Sequence, residues 1–399
     1  MPPSLPSHTV SAQNFDVHTD VEIADGRHFH DSYILFQKLG SGNFGAVYAA
    51  RAVGGKKDVA VKVTDLRVKS SYGYLDGVTD KQRQALALRE ARVMQQVPAS
   101  QNVVAILDIF LEDGLFYLVM DKADESLPRF LDRRRSLGET SLRPIILDMV
   151  KAVSALHAAD VVHRDVKPDN FVVSAVSSNG QEPSGADVVV RICDFGLARA
   201  LPSGKAPALR GMVGTLLLMA PEMLAGEAYG VKVDVWSLGV SCYRLFYGSW
   251  PFIPESQRAA AMIAAINDSA CALGAGSAQD GPSVAPEVSH LVHRLLQAKP
   301  RRRPGAKDLL DSEYFALRED VPPARASTSL PLHGGRCRFF SSSGHKAQHV
   351  TDVDVQLQAL QALAREKKQT SSAGRCSSEP STDIGSGAGS ARSTATWSP

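Results

Sequence analysis

His163-Arg164-Asp165-Val166-Lys167-Pro168-Asp169-Asn170 leads directly into the strand-like Phe171-Val172-Val173. A loop with no task beyond turning needs Asp and Asn only for their local backbone hydrogen bonds. Here a Lys two residues after Asp165, and an Asn three beyond it, can set a proton acceptor, a phosphate partner and a metal ligand around one point. Downstream, Asp194-Phe195-Gly196 ends the β-branched run Val188-Val189-Val190-Arg191-Ile192-Cys193. Taken alone, Asp-x-Gly is an ordinary turn.

Two further motifs lie upstream. Gly40-Ser41-Gly42-Asn43-Phe44-Gly45-Ala46-Val47 falls between two strand-like runs. Glycines at this spacing let the backbone bend tightly and bring amide N–H groups to phosphate oxygens. In dinucleotide-binding folds the same spacing opens a helix, whereas here Ala46-Val47-Tyr48 continues as strand, so that reading is set aside. Val59-Ala60-Val61-Lys62 ends an apolar strand in a cation, and Glu90 on the following helical stretch supplies a carboxylate for it. A buried Lys is costly unless paired, so a Lys–Glu pair beneath a phosphate-binding loop reads as a phosphate anchor.

Composition bounds the rest. The chain has 399 residues, 44% apolar and 22% charged, enough for about two packed units with tails. Lys and Arg number 44 against 42 Asp and Glu, a net charge of +2 that points to neither nucleic acid nor an anionic membrane. Cys193, Cys242, Cys271, Cys337 and Cys376 are scattered and show no C-x-x-C pair, so neither a disulfide scaffold nor a zinc site is expected. The opening MPPSLPSHTV lacks the basic flank and apolar run of a signal peptide, and Pro2 rules out N-myristoylation. No run nears the ~20 apolar residues that span a bilayer. A soluble intracellular monomer, cytoplasmic and/or nuclear, is expected.

Residues 1–32 read as a flexible arm that packs locally or not at all. From Tyr33 come five short strand-like runs, YILFQKL, AVYAARA, KDVAVKV, VVAILDIF and LFYLVM, with one helix, KQRQALALREARVMQQV, among them. Leu86, Val93, Met94 and Val97 recur there near helical spacing. The pattern is a small antiparallel sheet with a single helix, residues 33–120, then a hinge at 121–127 and a mainly helical part at 128–315. In that part Ile145, Ile146, Met149, Val153 and Leu156 share one helical face, and KVDVWSLGVSCYRLFYG is apolar nearly all round. VSHLVHRLLQA and AKDLLDSEYF read as further helices. Residues 316–399 are Ser- and Gly-rich and largely disordered by composition, with one helical island at 352–368. That island is either a marginal helix without a fixed partner or a docking and self-association helix.

In their order and intervals these motifs resemble the eukaryotic protein kinase family, serine/threonine type, from Tyr33 to about Phe315. Gly214-Thr215-Leu216-Leu217-Leu218-Met219-Ala220-Pro221-Glu222 and the Asp234-x-Trp236-Ser237-x-Gly239 helix extend the match. The resemblance implies a two-lobed α+β fold and a cleft for ATP and Mg²⁺. It implies that Gly40, Gly42 and Gly45 cover the phosphates and that Lys62, paired with Glu90, contacts them. Leu39, Val47, Ala60 and Met120 would line the adenine pocket beside a hinge formed by Asp121 to Ala123. Asp194 and Asn170 would hold Mg²⁺. Asp165 would take or orient the proton of the attacking hydroxyl, and Lys167 would steady the γ-phosphate. His163, Phe195, Met94 and Ile106 fall where the family stacks an internal apolar spine, and Glu222 would pair with Arg303. The implied partners are proteins bearing a Ser or Thr acceptor, with a regulatory partner or self-contact through the tail. The rival class is a catalytically silent, nucleotide-binding scaffold, which normally lacks one of Lys62, Asp165, Asn170 or Asp194; all are present.

Departures from the pattern carry their own expectations. Between Phe195 and Glu222 the hydroxyl residues are Ser203 and Thr215 alone, so the cationic pocket around Arg164 lacks its usual phosphate. Constitutive activity or control by a partner follows as a hypothesis. Leu218 in place of the family's Tyr suggests a more apolar floor beneath the residue after the acceptor. Asp169, Asp124 and Glu125 would favour basic residues before it. The inserts Lys69 to Lys81 and Ser174 to Ala186 read as surface loops.

Overall fold

A computed structural model describes residues 21, 23, 26–42, 45–70, 73–134, 137–176, 187–202, 208–274 and 284–316, with the side chains at 69–78 and 270–274 left out. The tail, the helical island at 352–368 and Ser203 lie outside these residues.

A single turn, α1 (Phe29–Ser32), enters β1 (Tyr33–Gly42), β2 (Gly45–Ala52) and β3 (Asp58–Asp65). A hairpin, β4 (Arg67–Ser70) and β5 (Gly73–Thr79), precedes α2 (Lys81–Gln96), β6 (Ile106–Glu112) and β7 (Leu115–Asp121). The antiparallel sheet runs β1-β2-β3-β7-β6, the five strands expected. Register sets Val47 opposite Lys62 and Ala60 opposite Met120, so these residues share the sheet face toward the cleft. Asp80 caps α2 by accepting from the Gln82 and Arg83 amides at 2.9 and 3.1 Å. The helix buries Ala87, Leu88, Glu90, Ala91, Val93 and Met94.

The second lobe holds β8 (Glu125–Ser126), α3 (Leu127–Arg133), α4 (Glu139–Ala158), β9 (Val161–Val162), β10 (Phe171–Ala175), β11 (Val188–Ile192) and β12 (Arg199–Ala200). After them come α5 (Pro221–Leu224), α6 (Lys232–Tyr247), α7 (Ala259–Gly274), α8 (Pro286–Leu295), α9 (Ala306–Leu309) and α10 (Glu313–Ala316). The stripe Ile145, Ile146, Met149, Val153 and Leu156 on α4 is wholly buried. Every residue of α6 from Val233 to Cys242 is buried too, as its all-round apolarity requires. At Gly239 a Cβ would come within 2.7 Å of the Leu295 Cβ, so glycine is what lets α6 and α8 close. No helix among the described residues is long and apolar enough to cross a membrane.

Four expectations need correction, and one helix was unforeseen. Leu86 is exposed, because the helical stripe toward the sheet passes through Ala87, Leu88 and Ala91 instead. The insert after Lys69 is the β4–β5 hairpin, paired Lys69 to Tyr74 and Ser70 to Gly73, not a loop. AKDLLDSEYF breaks into α9 and α10. The Ala-rich α7 was not anticipated.

The fourth concerns the arm, whose end is packed across the sheet. Phe29 is fully buried and stacks on Tyr117 at 4.1 Å between ring centroids. Carboxylates of β6 hold the flanks: Asp108 takes Arg27 and the Tyr33 hydroxyl, each at 2.6 Å, and Glu112 takes the Phe29 amide at 3.0 Å. Phe29→Ala is expected to lower unfolding free energy by ~3–5 kcal/mol, read from chemical denaturation of the full chain.

Candidate active site

The glycine loop is the tip of the β1–β2 hairpin, with Gly42 opposite Gly45. Gly45 has φ 143° and a Cβ there would lie 2.3 Å from the Val63 carbonyl oxygen, so a side chain cannot fit without moving the strand. Below it, Lys62 Nζ donates to Glu90 at 2.6 Å and to Asp194 at 3.2 Å. Burial works against the Lys62 ammonium, but the two carboxylates outweigh it and hold its pKa above the usual value. Burial likewise opposes the Asp194 carboxylate, and the Lys62 charge overrides it to hold that pKa below the usual range. Asp194 has φ 59°, left-handed backbone that Asp tolerates better than most residues.

The loop 163–170 hangs from one carboxylate that the sequence placed in a motif but without a role. Asp234, fully buried at the start of α6, accepts from the His163 and Arg164 amides at 2.8 Å each and pairs with His157 Nε2 at 3.1 Å. Its signal was available: a lone acid inside an otherwise apolar helix. Held this way, Arg164 adopts φ 69° immediately before Asp165. Asp165 pairs with Lys167 at 2.7 Å and accepts from the Thr215 hydroxyl at 3.0 Å and the Asn170 amide at 3.0 Å. Lys167 also donates to Thr215 at 2.9 Å. Gly214, at φ 99°, lets the segment before Thr215 pass the Arg164 carbonyl, which a Cβ would meet at 2.4 Å.

Between the lobes lies a cavity of about 500 Å³. It is lined by all the residues expected from the loop and sheet: Leu39, Gly40, Gly42, Gly45, Val47, Ala60, Lys62 and Glu90. Met120, Asp121 and Ala123 form its edge, with Asn170 and Asp194 at its base. Asp165 and Lys167 adjoin it through Asn170. Val104, Val172 and Cys193 also line it and went unnoticed, because single apolar residues and a cysteine carry no spacing signal. His163 and Phe195 meet edge-on at 5.3 Å, and Met94 and Ile106 pack on the same apolar cluster.

Around this core the remaining expectations divide. Glu222 and Arg303 form a buried fork of two 2.7 Å hydrogen bonds, and losing either partner would leave the other buried at a cost of ~3–5 kcal/mol. Leu218 does not floor an open subsite: it is buried, and its carbonyl accepts from Ser237 at 2.8 Å. Of the acids expected near a peptide, Glu125 is occupied by Arg133, and Asp124 accepts from the Ala175 amide at 2.9 Å. Asp169 lines the cavity, its Oδ2 buried with no hydrogen-bond partner, and burial pushes its pKa up to about 6. On the far side Arg164, Arg89 and Arg199 crowd together; burial and the other two guanidiniums pull the Arg199 pKa down to about 10. Among the described residues no group of three or more His, Cys, Asp or Glu could hold a metal alone.

The model for the protein kinase domain matches residues 33–315, more than half of the chain. The chain belongs to the protein kinase family. It is 33% identical over 226 residues to the serine/threonine-protein kinase TIO of Arabidopsis thaliana, covering 57% of this chain and 15% of that protein. It is 28% identical over 344 residues to calcium/calmodulin-dependent serine/threonine-protein kinase 1 of Oryza sativa subsp. japonica, 85% of this chain and 51% of that one. Calcium-dependent protein kinase 22 of Arabidopsis thaliana is 28% identical over 291 residues, 71% and 54%. This kinase chain thus spans about half or less of the length of these relatives.

Proposed function

We propose that the chain is a protein serine/threonine kinase that transfers the γ-phosphoryl group of Mg-ATP to Ser or Thr hydroxyls of other proteins. The observation that carries this is the meeting of Asp165, Lys167, Thr215 and Asn170 beside a cleft that already holds Lys62, Glu90 and Asp194. Phosphoryl transfer asks for positioning and charge neutralisation more than for covalent chemistry, and these groups supply both. The acceptor oxygen forms a bond to the γ-phosphorus as the bond to the β-phosphate oxygen breaks, ADP leaves, and the hydroxyl proton passes to Asp165. Lys62 and Lys167 offset the phosphate charge. Asp194 and Asn170 offer the hard oxygen donors that would hold Mg²⁺, which takes one or two protein ligands with phosphates and water and supplies charge neutralisation. The Ser/Thr preference is supported by Lys167 and Thr215 and by relatives that are themselves named serine/threonine-protein kinases.

Asp169, with its unpartnered carboxylate oxygen, is the acid we assign to a basic residue ahead of the acceptor. Activity without a phosphate on the segment between Phe195 and Glu222, either constitutive or set by a partner, is supported by its scarcity of hydroxyl residues, Ser203 and Thr215, the latter already engaged by Asp165 and Lys167.

Transfer from radiolabelled ATP to a degenerate Ser/Thr peptide library is expected from protein shown by mass spectrometry to be unphosphorylated. It should fall at least ~100-fold in Asp165→Asn and in Lys62→Met, as removal of one charge-stabilising group typically does. Transfer retained in both variants would contradict the proposal. For arginine-containing peptides, kcat/KM should rise with pH through about 6, as the Asp169 carboxylate ionises. Asp169→Asn should flatten that rise.

A further inference from the structure

A second cavity of about 490 Å³ lies behind the nucleotide cleft, between the end of α2 and β6. Met94 and Val104 line both cavities and form the wall between them. The outer side of the second cavity is built by the chain's own N-terminal segment, through Ile23 and Arg27. Arg27 is tied down by Asp108 at 2.6 Å, and Val21 and Ile23 pack on the apolar core. The chain therefore arrives at the cavity from upstream, already anchored at its mouth.

We propose that Phe15, carried by the segment ahead of Val21, fills this cavity in cis and so holds α2 in the position where Glu90 meets Lys62. The sequence favours this occupant. Phe15 is the sole Phe, Tyr or Trp before Phe29, set among Asn14, Asp16, His18 and Asp20. An aromatic ring in so polar a stretch gains most by finding apolar cover. The eight residues from Phe15 to Ile23 can reach ~26 Å, more than enough to fold back onto the cavity that Ile23 lines. Met94, Val97, Ile106 and Leu107 line the cavity, and of these Leu107 is exposed and Ile106 partly exposed to an incoming ring. Met94 stands four residues after Glu90, so the two share one face of α2. A ring packed on Met94 thus bears on the helix that presents Glu90 to Lys62 at 2.6 Å. Phe15 would be a positioning residue, remote from the reacting atoms.

Hydrogen exchange of the full chain, without nucleotide, tests the proposal apart from any question of catalysis. Phe15→Ala is expected to speed exchange across 94–109 roughly tenfold, the scale of burying one large apolar side chain, while Phe15→Leu keeps most of the protection. A synthetic peptide of residues 10–24, added to the Phe15→Ala protein, should restore it. Affinity for a fluorescent ATP analogue should weaken in Phe15→Ala and recover in Phe15→Leu. Unchanged exchange across 94–109 in Phe15→Ala would overturn the proposal. Protection that rises with protein concentration in the wild type would assign the cavity to a second copy and overturn it equally.

Discussion

One buried carboxylate, that of Asp234, carries the geometry on which the cleft depends. A carboxyl group with no exposure to water is stable only if its oxygens are fully occupied, and the His163 and Arg164 amides with His157 do this. The converse holds as well. Two amides of a loop that belongs to neither helix nor sheet find their acceptor in α6, and the left-handed backbone at Arg164 is kept in place by them. Asp165, the next residue, takes its direction from that constraint. The helix is in turn locked by Gly239 against α8, and its first turn lies beside Arg303, whose guanidinium also donates to the Lys232 carbonyl at 3.0 Å.

The sheet lobe contributes the opposite half of the charge arrangement. Lys62 reaches carboxylates from two different elements, Glu90 on α2 and Asp194 before the Phe195 turn. A buried pair of this kind contributes little net stability, because desolvation offsets the attraction. What it provides is alignment, since sheet, helix and lower lobe must all be in place for the three groups to meet. The packing of Phe29 against Tyr117 and Phe110 stiffens the strand pair that borders the cleft on the far side of the sheet. Fold and site are thus coupled through α2 and through β6.

The fold was legible wherever pattern and burial agree. The β-branched and aromatic runs of β2, β3 and β7 are buried almost continuously, and the α4 stripe and the all-apolar α6 are buried as their patterns require. The ordered motifs brought the residues expected to hold nucleotide and metal to one cavity, with Asp165 and Lys167 adjoining it, because such motifs are short, local and rich in residue types with special chemistry. Features that rest on tertiary context escaped. Leu86 fits a helical period yet faces water, since the sheet accepts the smaller Ala87 and Ala91. Leu218 looks like a surface substitution and lies in the core. Phe29 sits in a polar run, and its partners Phe110 and Tyr117 are some eighty residues away, a distance no local window spans. Asp234 was inside a recognised motif, but its role comes from hydrogen bonds to residues about seventy positions earlier.

The most direct test of this account is Asp234→Asn in the full chain, with nucleotide affinity and phosphoryl transfer measured side by side. The amide keeps the shape but offers one acceptor where the carboxylate gave two. Loss of one charge-assisted hydrogen bond is worth ~1.5–3 kcal/mol, so transfer should fall by roughly 10–100-fold while nucleotide binding, whose glycine loop, Lys62 and hinge contacts lie away from Asp234, stays near wild type. Transfer at the wild-type rate would contradict the claim that Asp234 sets the position of Asp165.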